Sequence, residues 1–203
     1  MESPITNDVL SKTISFDQYL DLTKSILAST APVGIYQNEK TFRYTRSNLE
    51  RMNKVLTEMV LNQKLYNLLG EIKDEWLWLV ISEPWCGDAS WGTPALYIIS
   101  TACENIDFRI LLRDENPEIM KNYQTAGSDS IPKLVCLRKK DLKELGTWGP
   151  RPASLHKIVM AFKNGVDFDY KESVRQLHAW YDEDMTKSIQ NELIDLIKDW
   201  KNK

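Results

Sequence analysis

The sequence predicts an α/β fold in which a central mixed sheet is flanked by helices, with helical extensions at both ends. Residues 76–81 form an unbroken apolar run, Trp-Leu-Trp-Leu-Val-Ile, which is typical of a strand buried on both faces. Segments of strand-like and helix-like character then alternate in the order β-α-β-α-β-β-α. Amphipathic segments with the helical period of about 3.6 residues precede and follow this region. These three observations define the fold class.

Two pairs of residues in the first part of the chain have the spacing of a helix-starting capping box: Ser15 with Gln18, and Ser47 with Glu50. They predict a helix over 15–28 and a longer helix over 47–70. Between them Pro32 and Gly34 interrupt the pattern, so 30–46 is expected to be a loop. We expect residues 1–70 to form a helical extension packed on the core.

The central region supplies the sheet. Strands are expected at 76–82, 108–112, 132–138 and 143–148, and helices at 89–103, 117–126 and 153–163. This order implies a parallel pair of strands at the start and an antiparallel hairpin at the end. The last of these helices is expected to stop before Gly165, so the core domain spans 71–165. Two amphipathic helices, at 171–181 and 185–200, make up the remaining segment, 166–203.

The composition is that of a globular domain rather than of a nucleic-acid-binding or membrane protein. Of the 203 residues, 42% are hydrophobic and 27% are charged, and the net charge is −3. Phosphate binding requires a concentrated basic surface, whereas the one basic run, 138–140, falls at the expected hairpin turn. No segment approaches the roughly 18 consecutive apolar residues of a membrane span. Nucleic-acid and membrane partners are therefore not expected.

The cysteine content indicates a reducing compartment. Cys86, Cys103 and Cys136 are too few and too irregularly spaced for a disulfide scaffold. The N-terminus does not show the basic start and apolar stretch of a secretory signal. We therefore expect a cytoplasmic protein with free thiols. The oligomeric state does not follow from the sequence.

Cys86 is the residue at which we expect chemistry. It lies in the turn Glu-Pro-Trp-Cys-Gly-Asp-Ala-Ser (83–90), between the buried strand and the next helix. The unpaired N–H groups and the positive dipole end of a helix both favour thiolate over thiol. Asp88 opposes this effect through its negative charge. It would carry a proton for a leaving thiol or cap the helix, and capping is the more common role of such a residue.

The turn resembles the active site of the thioredoxin superfamily. Trp85-Cys86-Gly87 follows a buried strand and precedes a helix, and Pro94 lies eight residues after Cys86, where thioredoxins carry a helix-kinking proline. Ile131-Pro132, 46 residues after Cys86, is similar to the Ile-Pro whose proline is cis and faces the catalytic cysteine. The resemblance covers about residues 70–165 and implies a thioredoxin-like fold.

Two departures from the family pattern affect the expected activity. Thioredoxins have a Cys-x-x-Cys motif, whose second thiol releases the product from the mixed disulfide. Ala89 occupies that position here. Thioredoxins also carry a buried aspartate six residues before the first cysteine, where this chain has Val80. Since the second thiol and its supporting acid are both replaced, the dithiol cycle is not expected.

The resemblance also implies a substrate-binding rim around Cys86. Trp85 and Gly87 flank the cysteine, and a cis bond before Pro132 would present the backbone of Ile131 to a peptide or to a glutathione-like ligand. Gly149 and Arg151 follow the last strand and are expected on the same rim. Arg151 would pair with a substrate carboxylate, pair with Asp88, or face solvent.

Three functions are consistent with these residues. The first is a monothiol redox protein that forms mixed disulfides through Cys86 with a protein or a low-molecular-weight thiol, and that an external thiol such as glutathione resolves. The second is a binding module that uses the cis-proline groove without turnover. The third, by similarity to monothiol glutaredoxins, is an iron–sulfur protein, although Ala89 stands where their motif has serine. No metal-ligand spacing is present, so His156 and His178 are expected to be structural and no cofactor is expected.

Overall fold

The computed structural model describes residues 3–163 and 169–203. Its helices and strands are, in chain order, α1 (Asn7–Ser11), α2 (Phe16–Ala28), α3 (Glu39–Glu58), α4 (Gln63–Leu69), β1 (Trp76–Ser82), α5 (Ala89–Thr101), β2 (Ile106–Leu112), α6 (Pro117–Met120), β3 (Lys133–Arg138), β4 (Lys143–Trp148), α7 (Ala153–Lys163), α8 (Tyr170–Asp184) and α9 (Lys187–Trp200). Short 3-10 turns lie at Gly34–Gln37 and Lys121–Tyr123. The expected stop at Gly165 falls outside the described residues.

The four strands form one mixed sheet in the order β2-β1-β3-β4. β1 pairs in parallel with β2 and antiparallel with β3, and β3 pairs antiparallel with β4. The predicted parallel pair and terminal hairpin are therefore confirmed. The fold is the expected α/β arrangement, a mixed sheet flanked by helices with helical regions at both ends.

β1 is buried along its whole length because both of its faces are covered. Trp76, Trp78 and Val80 belong to one apolar cluster, together with side chains of α4, α5 and α9. The alternate residues of the strand belong to a second cluster on the opposite face, together with Ile5, Val9 and side chains of α6. Helix α1, which the sequence did not predict, contributes to that second layer.

The N-terminal helices partly match the prediction. α2 begins with the expected capping box of Ser15 and Gln18. The expected loop over 30–46 is wrong in its second half, because the side chain of Asn38 accepts hydrogen bonds from two backbone N–H groups and starts α3 at Glu39. The second expected capping box therefore lies in the interior of a helix. α3 also ends at Glu58 rather than near residue 70, and Asn62 caps a separate helix, α4.

The C-terminal helices pack on the core rather than projecting from it. The apolar stripe of α9 is buried in the same cluster as Trp76, Trp78 and Val80 of β1. It consists of Ile189, Leu193, Ile197 and Trp200. The indole ring of Trp200 makes edge-to-face contacts with those of Trp76 and Trp78, at centroid distances of 6.3 and 6.4 Å. α9 is thus an integral part of the hydrophobic core.

None of the helices in the described part of the chain is long and apolar enough to span a membrane.

Candidate active site

Cys86 lies in the turn between β1 and α5, and its thiol faces the loop that leads into β3. Sγ donates a hydrogen bond to the backbone carbonyl of Ile131 at 3.3 Å. The Ile131–Pro132 peptide bond is cis, as the family resemblance implied. The fold therefore brings together the cysteine and the cis-proline loop, which lie far apart in the sequence.

The surroundings of Cys86 favour the thiol over the thiolate, contrary to the expectation from its place at a helix start. Burial is the largest cause and the charge of Asp88 the second, and they raise the pKa of Cys86 to about 12. The backbone N–H groups of Ala89 and Asp88 and the guanidinium of Arg151 act in the opposite direction but do not compensate. Cys86 is therefore protonated at neutral pH in the unliganded protein.

Asp88 does not cap α5 as expected. Its backbone is already helical (φ −65°, ψ −38°), and its side chain makes no capping hydrogen bond. Its carboxylate instead accepts hydrogen bonds from Arg151, with Nε at 3.1 Å and Nη2 at 2.5 Å, and from the hydroxyl of Tyr181 at 2.9 Å. Both charged side chains are largely buried. Of the three alternatives for Arg151, the structure shows the pairing with Asp88.

Helix α8 contributes His178 to the site, a residue that the sequence analysis treated as structural. Its Nδ1 accepts a hydrogen bond from the indole Nε1 of Trp91 at 3.2 Å. Burial and the nearby charge of Arg51 lower the pKa of His178 to about 4, so the ring is neutral at neutral pH. Its ring also lies against Gly87, where Nε2 would be 3.4 Å from any Cβ added at that position.

Trp85 precedes the cysteine in the turn and contacts the segment that follows β2. Its Nε1 donates a hydrogen bond to Oδ2 of Asp114 at 3.1 Å, and the guanidinium of Arg113 lies 4.6 Å from the centre of one of its rings. Nearby, the buried Glu83 accepts a hydrogen bond from the backbone N–H of Asp114 at 2.8 Å. Burial is the main cause that raises the pKa of Glu83 to about 7.

Gly149 supports the cis-proline loop from the end of β4. Its φ of +113° is a conformation that residues with a side chain rarely adopt, and a Cβ there would lie 2.2 Å from the carbonyl oxygen of Pro132. The Gly149–Pro150 bond is a second cis peptide. The buried amino group of Lys133 donates hydrogen bonds to the carbonyl of Gly149 at 3.3 Å and to Thr125. Gly149 thus lies directly against the backbone of the cis-proline loop.

The other cysteines do not form a pair with Cys86. All three thiols are free, and Cys103 and Cys136 are buried. Cys136 lies within β3, where its neighbour on β1 is Trp78. Val80, at the position where thioredoxins have an acid, is buried in an apolar cluster. The structure therefore provides no second thiol at this site.

A cavity of about 670 Å³ opens beside Cys86, between the active-site turn and helices α3 and α8. The turn contributes Trp85, Cys86, Gly87 and Asp88 to its lining, and Arg151 lies beside them. The remaining lining comes from side chains that the sequence analysis did not connect with the site: Ile35, Asn38, Lys40, Thr41, Tyr44, Asn48, Val159, Tyr170, Ser173, Val174, Leu177 and His178. Its volume is in the range of small-molecule sites.

One signal in the sequence indicates that His178 and Tyr181 of α8 are buried. His178 and Tyr181 are three positions apart, and Val174 and Leu177 share their side of the helix. A polar residue on such an apolar stripe is expected to be buried against a partner. The identity of that partner depends on tertiary packing, which the local sequence pattern does not predict.

Comparisons with known proteins agree with this geometry. A family model described as thioredoxin matches residues 34–164. Among solved structures, the chain is similar to an HIV epitope-scaffold protein, with 15% identity, a TM-score of 0.55, and coverage of 95% of this chain and 97% of that one. It is also similar to a protein of unknown function from Pseudomonas aeruginosa, with 15% identity, a TM-score of 0.50, and coverage of 91% and 98%. No curated protein matches the sequence.

The structural neighbours support the fold alone, because their identity to this chain is low. The family model covers more than half of the chain, including the active-site turn, the cis-proline loop and the sheet. The chain therefore belongs to the thioredoxin-like superfamily.

Proposed function

We propose that this protein is a monothiol redox protein that forms mixed disulfides through Cys86 and is released by an external thiol. The observation that supports this most directly is the position of Cys86, which lines a cavity and faces the carbonyl of Ile131 at 3.3 Å. Ala89 stands in place of the second cysteine, and Cys103 and Cys136 are buried, so no internal thiol is available to resolve the adduct. An external thiol is therefore required for turnover.

The proposed cycle consists of two thiol–disulfide exchanges. The Cys86 thiol loses its proton, and its sulfur attacks one sulfur of a bound disulfide. A new S–S bond to Cys86 forms, the original S–S bond breaks, and the departing thiolate takes up a proton. An external thiol then attacks the mixed disulfide in the same way and returns Cys86 to the thiol. Each step exchanges one disulfide for another, without net oxidation.

The raised pKa of Cys86 limits the first step, because the thiolate is the attacking species. Asp88 contributes to this barrier, whereas Arg151 lowers it. The exchange is therefore expected to be slow at neutral pH unless the bound partner changes this balance of charges.

The test measures catalytic turnover, not the chemical modification of Cys86 alone. The protein should accelerate exchange between hydroxyethyl disulfide and an external thiol over many turnovers, and Cys86→Ser should abolish the acceleration. Cys103→Ser is the matched control, since it removes a thiol outside the cavity. Equal rates with the wild-type protein, with Cys86→Ser and without protein would contradict the proposal.

A second candidate function is a binding module that holds an extended segment in the cis-proline groove. The observation in its favour is that the Cys86 thiol is protonated and donates to Ile131, which is the state of an unreactive cysteine. This function predicts that Cys86→Ala leaves affinity for extended peptides unchanged, while Pro132→Ala weakens it. Loss of affinity in Cys86→Ala would count against it.

A further inference from the structure

The cavity beside Cys86 is closed on one side by elements outside the usual sheet-and-turn site. α3 contributes Lys40 and Tyr44 to the lining, and α8 contributes Val174, Leu177 and His178. Asn48 of α3 also donates a hydrogen bond to the carbonyl of Pro84 at 3.0 Å, which ties this helix to the active-site turn. The space left beside the thiol therefore has the size of a small molecule rather than of a folded protein surface.

The charges of the cavity lining do not cancel. Asp88 is the one acidic residue among the described lining residues, and Arg151 pairs with it. This leaves Lys40, for which the structure shows no ion pair with any described carboxylate. Its neighbour Glu39 pairs with Arg43 instead, at 3.7 Å. Among the residues that the structure describes, the lining therefore carries one positive charge without an ion-pair partner.

Lys40 is held in place by aromatic rings of the same cavity. Its Nζ lies 4.6 Å from the ring centre of Tyr170 and 5.7 Å from that of Tyr44. These contacts restrain the long side chain, so that less conformational entropy is lost when an anion binds to it. Partly buried aliphatic side chains, Val159, Val174 and Leu177, line the same space.

His178 adds a hydrogen-bond donor of fixed orientation. An indole N–H can only donate, so the bond from Trp91 makes Nδ1 of His178 an acceptor and places the proton of the neutral ring on Nε2. That N–H lies beside Gly87, in the lining of the cavity. The Nε2–H group of His178 can therefore donate a hydrogen bond to an acceptor close to the sulfur of a bound molecule.

We infer that the substrate of Cys86 is a low-molecular-weight disulfide with an aliphatic chain and a terminal anionic group. One sulfur of the disulfide would lie against the thiol of Cys86. The aliphatic chain would contact the partly buried aliphatic side chains of the cavity, and the carboxylate or phosphate would form an ion pair with Lys40. This inference rests on the proposed function, and the reaction is the exchange already described, with the released half of the disulfide leaving as a thiol.

The test compares three disulfides of equal length: those of mercaptohexanoate, mercaptohexanol and aminohexanethiol, which are anionic, neutral and cationic. With the wild-type protein, kcat/KM for exchange should be about fivefold higher for the anionic than for the neutral disulfide, and lowest for the cationic one. Added salt should reduce the difference. Lys40→Met should remove it while keeping the aliphatic stem. Lys64→Met, at an exposed lysine on α4, should retain it.

A second measurement separates this inference from the proposed function. Calorimetry with Cys86→Ser and the unreactive thioether methylthiohexanoate should show binding that Lys40→Met weakens. Equal exchange rates for all three disulfides, or no binding of the thioether, would overturn the inference and leave the redox function standing. Binding that depends on Lys40, without exchange of any disulfide, would overturn the redox function and leave the anion site.

Discussion

The carboxylate of Asp88 accepts two hydrogen bonds from the guanidinium of Arg151, at 3.1 and 2.5 Å, in a nearly buried site beside Cys86. The hydroxyl of Tyr181 donates a third at 2.9 Å. The pair therefore affects two properties of the protein: the acidity of the Cys86 thiol and the stability of the packing between the turn and α8.

Asp88→Asn is expected to make Cys86 more reactive. The charge of Asp88 is the second-largest cause of the raised pKa of Cys86, and its removal leaves the positive charge of Arg151 to favour the thiolate. A decrease of about one pKa unit gives about ten times more thiolate at neutral pH. The measurement is the rate of modification of Cys86 by a disulfide reagent. A rate equal to or below that of the wild type would refute this account of the acidity.

Arg151→Met should destabilise the protein by about 3 kcal/mol, because it leaves the carboxylate of Asp88 buried without its counter-charge. The double variant Asp88→Asn/Arg151→Met should recover part of this loss, since no buried charge then remains. Urea unfolding of the wild type, the two single variants and the double variant gives the coupling energy. Additive effects would show that the two residues do not stabilise each other.

The rate of Cys86 modification should keep rising with pH well beyond the range of an ordinary cysteine. With a pKa of about 12, the thiolate fraction increases about tenfold per pH unit up to that value, whereas free cysteine levels off above about pH 8.5. A stopped-flow pH profile, with Cys86→Ser as the blank, measures this. A plateau near pH 8 or 9 would mean that burial and Asp88 do not control the thiol.

Glu83 should make the stability of the protein depend on pH. Its folded pKa of about 7 lies above the unfolded value of about 4.3. Its contribution to stability is therefore complete below about pH 4 and is lost as the pH rises through about 7. Glu83→Gln keeps the acceptor for the Asp114 N–H but cannot ionise.

Relative to Glu83→Gln, the wild type should lose about 3 kcal/mol between about pH 5 and pH 8. Urea unfolding at several pH values gives this difference. The titration of His178 occurs in both proteins, so its effect cancels. Parallel stability curves for the two proteins would show that Glu83 titrates normally.

Trp200→Ala should destabilise the protein by about 4 kcal/mol, because the ring is buried between α9 and the sheet. Tyr66→Ala is the control, since it truncates an aromatic side chain that is 51% exposed, and its effect should stay within about 0.5 kcal/mol. Denaturant unfolding followed by tryptophan fluorescence and by circular dichroism measures both. Similar losses in the two variants would contradict the role of Trp200 in the core.

The sequence was sufficient to predict the sheet and the centre of the site. β1 is continuously apolar and buried on both faces, so its position and the turn after it could be read directly. The N-terminal part of α3, before residue 47, was missed because its one buried residue, Thr45, is polar and gives no apolar period. A capping residue, Asn38, was the available signal.

The electrostatics of the site could not be predicted in the same way. The helix position of Cys86 predicts a lowered thiol pKa, whereas the structure shows that burial and Asp88 dominate. The partner of Asp88 on α8, Tyr181, lies 93 residues away in the sequence. His178 likewise reaches the site through Trp91. Both belong to a helix outside the region of family resemblance, so the resemblance gave no information about them.

The packing of α8 and α9 has a practical consequence for work with this protein. The family model ends at residue 164, which makes truncation after α7 an obvious choice for expressing a minimal domain. Such a fragment would retain strands β1 to β4 but would lose the Trp200 ring that packs on Trp76 and Trp78, and it would leave Asp88 without Tyr181. Aggregation of the fragment is the expected outcome. Expressed versions of the protein should accordingly include the chain through Trp200.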